Sequence, residues 1–170
     1  MNEGKNIPVV GAIIERENNG QAEVLIQTRW KPEWDPVYSG TIEMPVGWIE
    51  EYENLFDALK REVFEETGLT ITKIKPNVQT KKFSLKEGDE SFAFAPYFCF
   101  QQTKGGKPWI GFIFLCEVAE GEPVAQESEV KDIRWIKKEE LKQLFNTSPE
   151  KFFTLEAGVF EYYLNRENYE

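Results

Sequence analysis

Short runs of hydrophobic residues separated by polar turns predict strands in the first third of the chain. Residues 7–15 and 22–28 are rich in Val and Ile, and the polar segment 17–20 between them contains the Asn-Gly pair that is typical of a hairpin turn. Residues 41–46 form a third short run, which ends immediately before Gly47. The pattern therefore predicts a β-hairpin followed by one further strand.

A second group of strands is predicted after residue 70. Residues 91–103 and 109–118 are aromatic and β-branched, and the segment 104–108 between them carries two Gly and one Pro, which indicates a hairpin. Further extended segments are expected at 70–75, 80–85 and 130–136.

Between and after these strands, apolar residues recur at helical spacing. The first helix is predicted to begin after Asn54, a good N-cap residue, and to end at Gly68, the residue type preferred just beyond a helix. Its apolar stripe consists of Leu55, Phe56, Leu59 and Val63.

Two more helices are predicted near the C-terminus. One covers 138–145, and the other begins at Ser148 and Pro149 as N-cap and first helical residue. Packing on the sheet is the expected role of the last helix, and a homodimer surface or a part of a substrate pocket is the alternative. Strands, one helix, more strands and then helices together make an α+β fold.

Composition narrows the class of protein. A length of 170 residues with 41% hydrophobic content suits one domain, 1–170, and no linker or repeat divides it. Thirty acidic against 20 basic residues give a net charge of −10, which argues against nucleic acid as the main partner. A bound phosphate would have to be met by local Arg or Lys side chains and by metal.

Several classes of site and location are disfavoured. The N-terminus lacks a signal-peptide core and no stretch is long enough to span a membrane, so a cytoplasmic protein is expected. Cys99 and Cys116 fall in predicted strands and are expected to be buried free thiols. The chain has no histidine, which excludes Ser-His and Cys-His nucleophilic schemes and removes the commonest zinc ligand.

Three carboxylates within the first predicted helix indicate a metal site. Glu62, Glu65 and Glu66 stand at i, i+3 and i+4, so they are neighbours on the helix surface, where like charges destabilise the helix. A solvated acidic face would be the usual interpretation of such a cluster. A hard divalent cation with oxygen ligands, Mg²⁺ or alternatively Mn²⁺, would turn the repulsion into binding.

The spacing of fixed residues around this cluster resembles the Nudix box of the Nudix hydrolase family. Gly47, five residues, Glu53, seven residues and then residues 61–69, REVFEETGL, match every fixed position and both aliphatic positions of that motif. Many members carry Pro-Gly-Gly before the box, where this chain has Pro45-Val46-Gly47. The resemblance implies a mixed β-sheet sandwiched between helices, with the box as a loop-helix-loop.

The same resemblance implies an activity and residue roles. The activity would be Mg²⁺-dependent hydrolysis of a diphosphate linkage in a nucleotide, nucleotide-sugar, dinucleotide or related metabolite. Glu62, Glu65 and Glu66 would be catalytic metal ligands, Arg61 would orient them, and Glu53 would tie the loop to the helix or bind a second metal. The base would be one of these glutamates or a glutamate from the later loop, where Glu127 and Glu129 are the candidates and Glu129 is preferred.

The sequence gives weaker evidence for the residues that contact the substrate than for those that bind the metal. Arg29 and Lys31 could meet a phosphate, with plain surface charge as the alternative. Trp34 and Trp48 are candidates to stack on a base, although most aromatic residues belong to a core or its rim. None of the secondary motifs that distinguish subfamilies is present. The sequence therefore predicts a small nucleotide-type substrate without identifying it.

Two other functions fit the same scaffold. A domain that binds a nucleotide as a sensor, without turnover, is the main alternative, and the intact set of carboxylates favours the hydrolase over it. An isopentenyl diphosphate isomerase is the other, and the lack of histidine argues against it.

Overall fold

The computed structural model describes residues 5–125 and 129–169, which form three α-helices and two β-sheets. The strands are β1 (Ile7–Asn18), β2 (Gln21–Arg29), β3 (Ile42–Glu43), β4 (Val46–Trp48), β5 (Ile71–Lys75), β6 (Val78–Gln79), β7 (Phe94–Ala95), β8 (Phe98–Gln101), β9 (Trp109–Val118) and β10 (Val130–Lys137). The helices are α1 (Leu55–Thr67), α2 (Lys138–Thr147) and α3 (Thr154–Leu164). None of the helices in these ranges is both long and apolar enough to cross a lipid bilayer.

The larger sheet is mixed and has the central order β10-β2-β1-β9-β5. β1 runs parallel to β9, whereas its pairing with β2 is antiparallel. β8 lies on β9, and β6 pairs with β7 in a separate two-stranded sheet. The mixed sheet and the three helices confirm the predicted α+β class.

The two central strands separate after their hairpin, and this opens the space for the site. β1 pairs with β2 only from Glu15 to Asn18. Beyond that point, residues 42–48, called here the insert, lie between the two strands, with β3 paired to β2 and β4 paired to β1. The Ala12 N–H donates to the Pro45 carbonyl at 3.0 Å and holds the middle of the insert. The insert thereby brings Gly47 to the edge of α1.

Alternation along β1 builds one core on each face of the sheet. Val10, Ala12 and Ile14 pack in the core that contains the apolar stripe of α1, whereas Ile13 packs in the core that contains α2 and α3. The sheet is therefore sandwiched between α1 on one face and the two C-terminal helices on the other, as the resemblance implied.

The ends of α1 follow the sequence prediction. The Asn54 side-chain oxygen accepts a hydrogen bond from the Phe56 N–H at 2.9 Å, which caps the first turn. Gly68 adopts a left-handed conformation with φ of 70°, and its N–H donates to the Phe64 carbonyl. These two caps fix the length of the helix that carries the acidic cluster.

Two predicted strands differ from the structure. Residues 80–85 form no continuous strand: the Thr80 N–H donates to the Ala93 carbonyl and Phe83 makes an isolated bridge with Ser91, and no continuous ladder joins these contacts. The predicted strand 91–103 is broken into β7 and β8.

Two further predictions were wrong in detail. The last helix begins at Thr154, because the Phe153 N–H donates to the Ile42 carbonyl at 2.8 Å and holds the chain extended there, leaving 149–151 as a 3₁₀ turn. Cys99 is exposed, since its neighbours on β8 take the inward-facing positions. Cys116 is a buried free thiol as expected, and burial raises its pKa to about 12.

Candidate active site

A cavity of about 400 Å³ lies where the insert, α1 and the start of α3 meet. One part of its wall is acidic and consists of Glu43, Glu62, Glu65, Glu66 and Glu129. Another part of the wall is apolar and aromatic and consists of Val9, Val46, Trp48, Trp109, Phe153 and Leu155. Arg29, Lys31 and Arg61 add positive charge to the lining. Such a division suits a ligand with one apolar part and one anionic part that is held by the basic side chains or by a cation on the acidic wall.

Helix α1 supplies three of the acidic side chains at graded depths. Glu66 is only 5% exposed, Glu62 is largely buried, and the side chain of Glu65 is 51% exposed. The depth follows from the apolar stripe of α1, which buries the helix edge shared by Glu62 and Glu66 and leaves Glu65 nearer to solvent. All three predicted ligands therefore lie on one cavity wall.

Arg61 links these glutamates to the loop that precedes the helix. Its guanidinium donates to both carboxylate oxygens of Glu53, at 2.9 and 2.8 Å, and to the Trp48 carbonyl at 3.0 Å. On the helix itself it donates to Glu62 at 2.6 Å and to Glu65 at 3.3 Å. Hydrogen bonds from Arg61 lower the pKa of Glu53 and keep that carboxylate charged. Glu53 thus lies beside the acidic wall and is engaged by Arg61.

Gly47 makes an unusually close contact with the acidic wall. A Cβ atom added at this position would lie 1.8 Å from the Glu62 carboxylate oxygen Oε2, so no side chain fits there without moving Glu62. The need for glycine here arises from packing against Glu62, one of the predicted metal ligands.

A second, deeper group of polar residues supports Glu66 from below. Gln27 follows Leu25 on the side of β2 that faces α1, and its Nε2 donates to Glu66 at 2.8 Å and to Glu43 at 3.5 Å. The Gln27 Oε1 atom is buried and has no partner within the described ranges. Gln27 thereby joins two buried carboxylates of the cavity lining, and one of its own acceptor atoms is left over.

The buried carboxyl groups have altered acidity. Burial raises the pKa of Glu66 well above its ordinary value, and the nearby charge of Glu43 adds to that effect. Burial likewise raises the pKa of Glu62 and of Glu43, although Arg61 and Arg29, respectively, oppose the shift. A nearby positive charge would favour the ionised form of all three groups.

The other predicted residues are placed as follows. Glu129 lines the cavity and pairs with Lys31, whose Nζ lies 2.7 Å from Glu129 Oε2. Arg29 also lines the cavity, but it donates to Glu43 at 3.1 Å and to Asp35 at 2.8 Å. Trp48 is part of the lining, whereas Trp34 is 89% exposed and lies outside it.

Glu127 was the other candidate from the later loop, and it falls outside the residues that the structure describes.

The donor chemistry of the acidic wall fits a hard divalent cation. The wall offers carboxylate oxygens from Glu62, Glu65 and Glu66. Within 5–125 and 129–169, no three acidic or thiol side chains are already gathered at metal-binding distance. Arg61 holds Glu62 and Glu65 while Gln27 holds Glu66, so the donor types fit and the side chains would have to regroup around an ion.

Sequence reasoning missed three residues of this site. Glu43 and Glu156 are buried acidic residues that line the cavity from the insert and from α3, and Gln27 joins Glu43 to Glu66. A polar residue inside an otherwise apolar strand was the available signal for Gln27 and Glu43. Glu156 gave no such signal, because acidic residues are ordinary in the first turn of a helix.

Comparison with known proteins gives a family match over most of the chain. Residues 5–155 match the family model described as NUDIX domain. Among curated proteins, no sequence matches the chain.

Solved structures share the fold at low sequence identity. The chain is similar to the MutT protein from Methanosarcina mazei Go1, with 21% identity, a TM-score of 0.66 and 99% of each chain covered. It also resembles the NUDIX domain of Shewanella oneidensis NrtR complexed with ADP ribose, with 15% identity, a TM-score of 0.64 and coverage of 98% of this chain and 90% of that one. A third similar structure is a C. elegans Ap4A hydrolase binary complex, with 17% identity, a TM-score of 0.55 and coverage of 85% and 90%.

Proposed function

The chain belongs to the NUDIX domain family and is a Nudix-type pyrophosphohydrolase, and on that premise we propose that it uses Mg²⁺, or alternatively Mn²⁺, to cleave a diphosphate linkage in a nucleoside diphosphate derivative. The observation that carries this proposal is the acidic wall itself. Three glutamates from one helix face a cavity together with Glu129, and Arg61 braces two of them. ADP ribose, the ligand named with the similar NUDIX domain of NrtR, belongs to the proposed substrate class.

The proposal assigns the metal to Glu62, Glu65 and Glu66. A bound cation would neutralise charge on the diphosphate oxygens and make a coordinated water more acidic. Glu53 holds Arg61 through two hydrogen bonds, so its proposed part is to position the ligand-bearing helix against the loop.

Proton transfer and phosphate binding are assigned to Glu129 on the same wall and to the basic residues beside it. Glu129 is the proposed acceptor for the proton of the attacking water, because it lines the same cavity and its side chain is partly open to solvent. Lys31, which is paired with Glu129, has a flexible ammonium group that can contact a phosphate oxygen. The guanidinium of Arg29 is already engaged by Glu43 and Asp35, so it would keep Glu43 in place and meet the substrate only if those bonds change.

The first test is an activity screen with Mg²⁺ and with EDTA. The purified chain is incubated with ADP-ribose, nucleoside triphosphates, dinucleotide polyphosphates, NADH, coenzyme A and sugar nucleotides, and the products are separated by chromatography. We expect metal-dependent cleavage of at least one compound at a phosphorus-oxygen bond. Tight binding of a compound without any cleavage would instead support a nucleotide-sensing domain.

The Glu65→Gln variant tests the assigned metal site. It removes a charge and keeps the size of the side chain. Among the described residues, the Glu65 side chain has one hydrogen bond, from Arg61, so the fold should be retained. We expect turnover to fall by at least about 100-fold, more than is usual for residues that only support a ligand. Glu51→Gln is the matched control, because Glu51 is exposed and lies outside the cavity lining. Equal rates for parent and Glu65→Gln would contradict the assignment.

A further inference from the structure

We propose that the apolar end of the cavity, formed by Val9, Trp109, Phe153 and Leu155, binds the nucleobase of the substrate and that Glu156 determines which base is accepted. These four apolar residues form a small core of their own, separate from the two cores of the sheet. The inference rests on the proposed function, because the base would be joined to a diphosphate that lies along the acidic wall.

The apolar end has the composition to hold a flat ring. Trp109 and Phe153 stand edge to face with ring centroids 6.0 Å apart, and Val9 and Leu155 complete the surface. An aromatic and aliphatic surface beside a charged one offers stacking to a heterocycle while the charges hold the rest of the ligand.

Glu156 is a buried acidic residue next to this surface. It follows Leu155 on α3, it is 1% exposed, and it lines the same cavity. Its Oε2 atom accepts a hydrogen bond from the Met44 N–H at 2.7 Å, which fixes the carboxyl group. In the described chain this is the single hydrogen bond of the side chain, so Oε1 is left without a protein partner.

A second polar atom at the same end also lacks a partner. Trp109 is 9% exposed, and its indole Nε1 is buried without a hydrogen-bond acceptor among the described residues. Buried polar groups are normally satisfied, so unpaired groups beside a cavity need an explanation. The ring edge of a nucleobase carries donors that could pair with Glu156 Oε1 beside the indole.

Glu156 also has a structural role, because it accepts a hydrogen bond from the backbone of the insert at Met44. That role would affect stability and the binding of every ligand alike. A role in base selection would change the ratio of affinities between ligands that differ only at the ring edge. The ratio is therefore the quantity to measure.

The test uses two matched pairs of nucleoside diphosphates, ADP with IDP and CDP with UDP. Within each pair the ligands differ by an amino group against a carbonyl oxygen on the ring. Dissociation constants are measured by titration calorimetry with Mg²⁺ and the α,β-methylene forms of the four ligands, so that the metal is present and binding is read without turnover. We expect the parent to distinguish the members of at least one pair by about tenfold.

Variants of Glu156 then separate selection from support. Glu156→Leu should bring the ratio to within about twofold of unity. Glu156→Gln keeps an acceptor for the Met44 N–H and a polar atom facing the cavity, so its ratio should remain away from unity, whether unchanged or reversed. Glu161→Gln is the control on the same helix, because Glu161 bonds Asn165 outside the cavity. The same ratio in the parent and in Glu156→Leu would overturn the proposal.

Leu155→Trp tests the location without relying on Glu156. The larger side chain fills the apolar end, so ADP affinity should fall at least tenfold while inorganic pyrophosphate affinity stays within about twofold. An unchanged ADP affinity in this variant would overturn the proposal.

The two proposals can fail separately. Loss of selectivity in Glu156→Leu in a protein that hydrolyses nothing would support the base site and reject the hydrolase. Metal-dependent hydrolysis, together with the same affinity ratio in the parent and in Glu156→Leu, would support the hydrolase and reject the base site.

Discussion

At the scale of single residues, the site combines groups that stabilise the protein poorly when no ligand is bound. Glu66 is buried beside Glu43, and its partner Gln27 is a neutral amide that can bond the carboxylate without neutralising its charge. A buried charge without a counter-ion is costly, which is why burial raises the pKa of this group. The folded chain should therefore lose stability where Glu66 is ionised.

The pH dependence of stability without divalent metal should follow from this. A carboxyl whose pKa is higher in the folded state than the ordinary 4.5 of Glu66 keeps a proton that the unfolded chain releases. Stability then falls as pH rises from about 4.5 towards the raised value. We expect a higher Tm in EDTA at pH 5.5 than at pH 8.

The Glu66→Gln variant should raise Tm in EDTA at pH 8 and weaken its pH dependence. The exposed Glu65 provides the control, since Glu65→Gln should leave the pH dependence of Tm unchanged. Identical melting curves for Glu66→Gln and the parent at pH 8 would show that Glu66 carries no buried charge.

Gly47→Ala should damage activity more than stability. The added Cβ would displace the Glu62 carboxylate, the end of a side chain that can move at small cost to folding. We expect turnover to fall by roughly 10- to 100-fold, as for residues that orient a metal ligand. The activity assay is paired with a denaturant titration of the same variant.

Gly158→Ala is the matched control for that substitution. Gly158 lies within α3 and a Cβ there would meet nothing within 4 Å, so the change should stabilise the helix by about 0.5–1 kcal/mol without loss of turnover. Equal turnover of Gly47→Ala and the parent would contradict the importance of the close contact.

At the scale of elements, the loop before α1 and the helix itself are held as one unit by Arg61. The guanidinium fork bonds Glu53 with two atoms and reaches the Trp48 carbonyl, and lysine cannot reproduce this geometry. The positive charge alone is therefore insufficient to explain the residue at position 61.

Arg61→Lys should lower turnover by about 10- to 100-fold although the charge is kept. Initial rates with saturating Mg²⁺ provide the measurement. Arg16→Lys serves as the control, because Arg16 pairs with Glu23 away from the cavity. If Arg61→Lys retained full turnover, electrostatic attraction rather than the fork would be the function of Arg61.

Elements with strong local signals could be predicted from the sequence. The first hairpin and both ends of α1 follow from the Asn-Gly turn, the Asn54 cap and the left-handed Gly68, which act over a few residues. The start of α3 could not be predicted, since Phe153 bonds a strand more than 100 residues earlier. The same reason applies to Glu156, whose partner Met44 is equally distant in sequence.

At the scale of the whole molecule, charge and fold act together. The chain has a net charge of −10, and several of its carboxylates line one cavity. Ligands that bind only the folded state add RT ln(1 + [L]/Kd) to its stability, so a cation that binds the acidic wall should stabilise the entire chain.

Mg²⁺ should therefore raise Tm at pH 8. At 100 times Kd the added stability is about 2.7 kcal/mol, which for a chain of this size corresponds to roughly 5–10 °C. The shift should be smaller at pH 5.5, because protons compete for the same carboxylates. Scanning calorimetry with NaCl at equal ionic strength is the control, and an equal shift in NaCl would show ionic screening in place of metal binding.

The bond from Phe153 to the carbonyl of Ile42 ties the start of α3 to the insert, and the insert leads directly into the loop of α1. A molecule that fills the cavity would bridge these parts of the chain and restrain them together. The backbone amides of Met44 and of the first turn of α3 should then exchange with deuterium more slowly than in the free protein. Occupation of the cavity would thus be detected in a helix that lies outside the motif at residues 47–69.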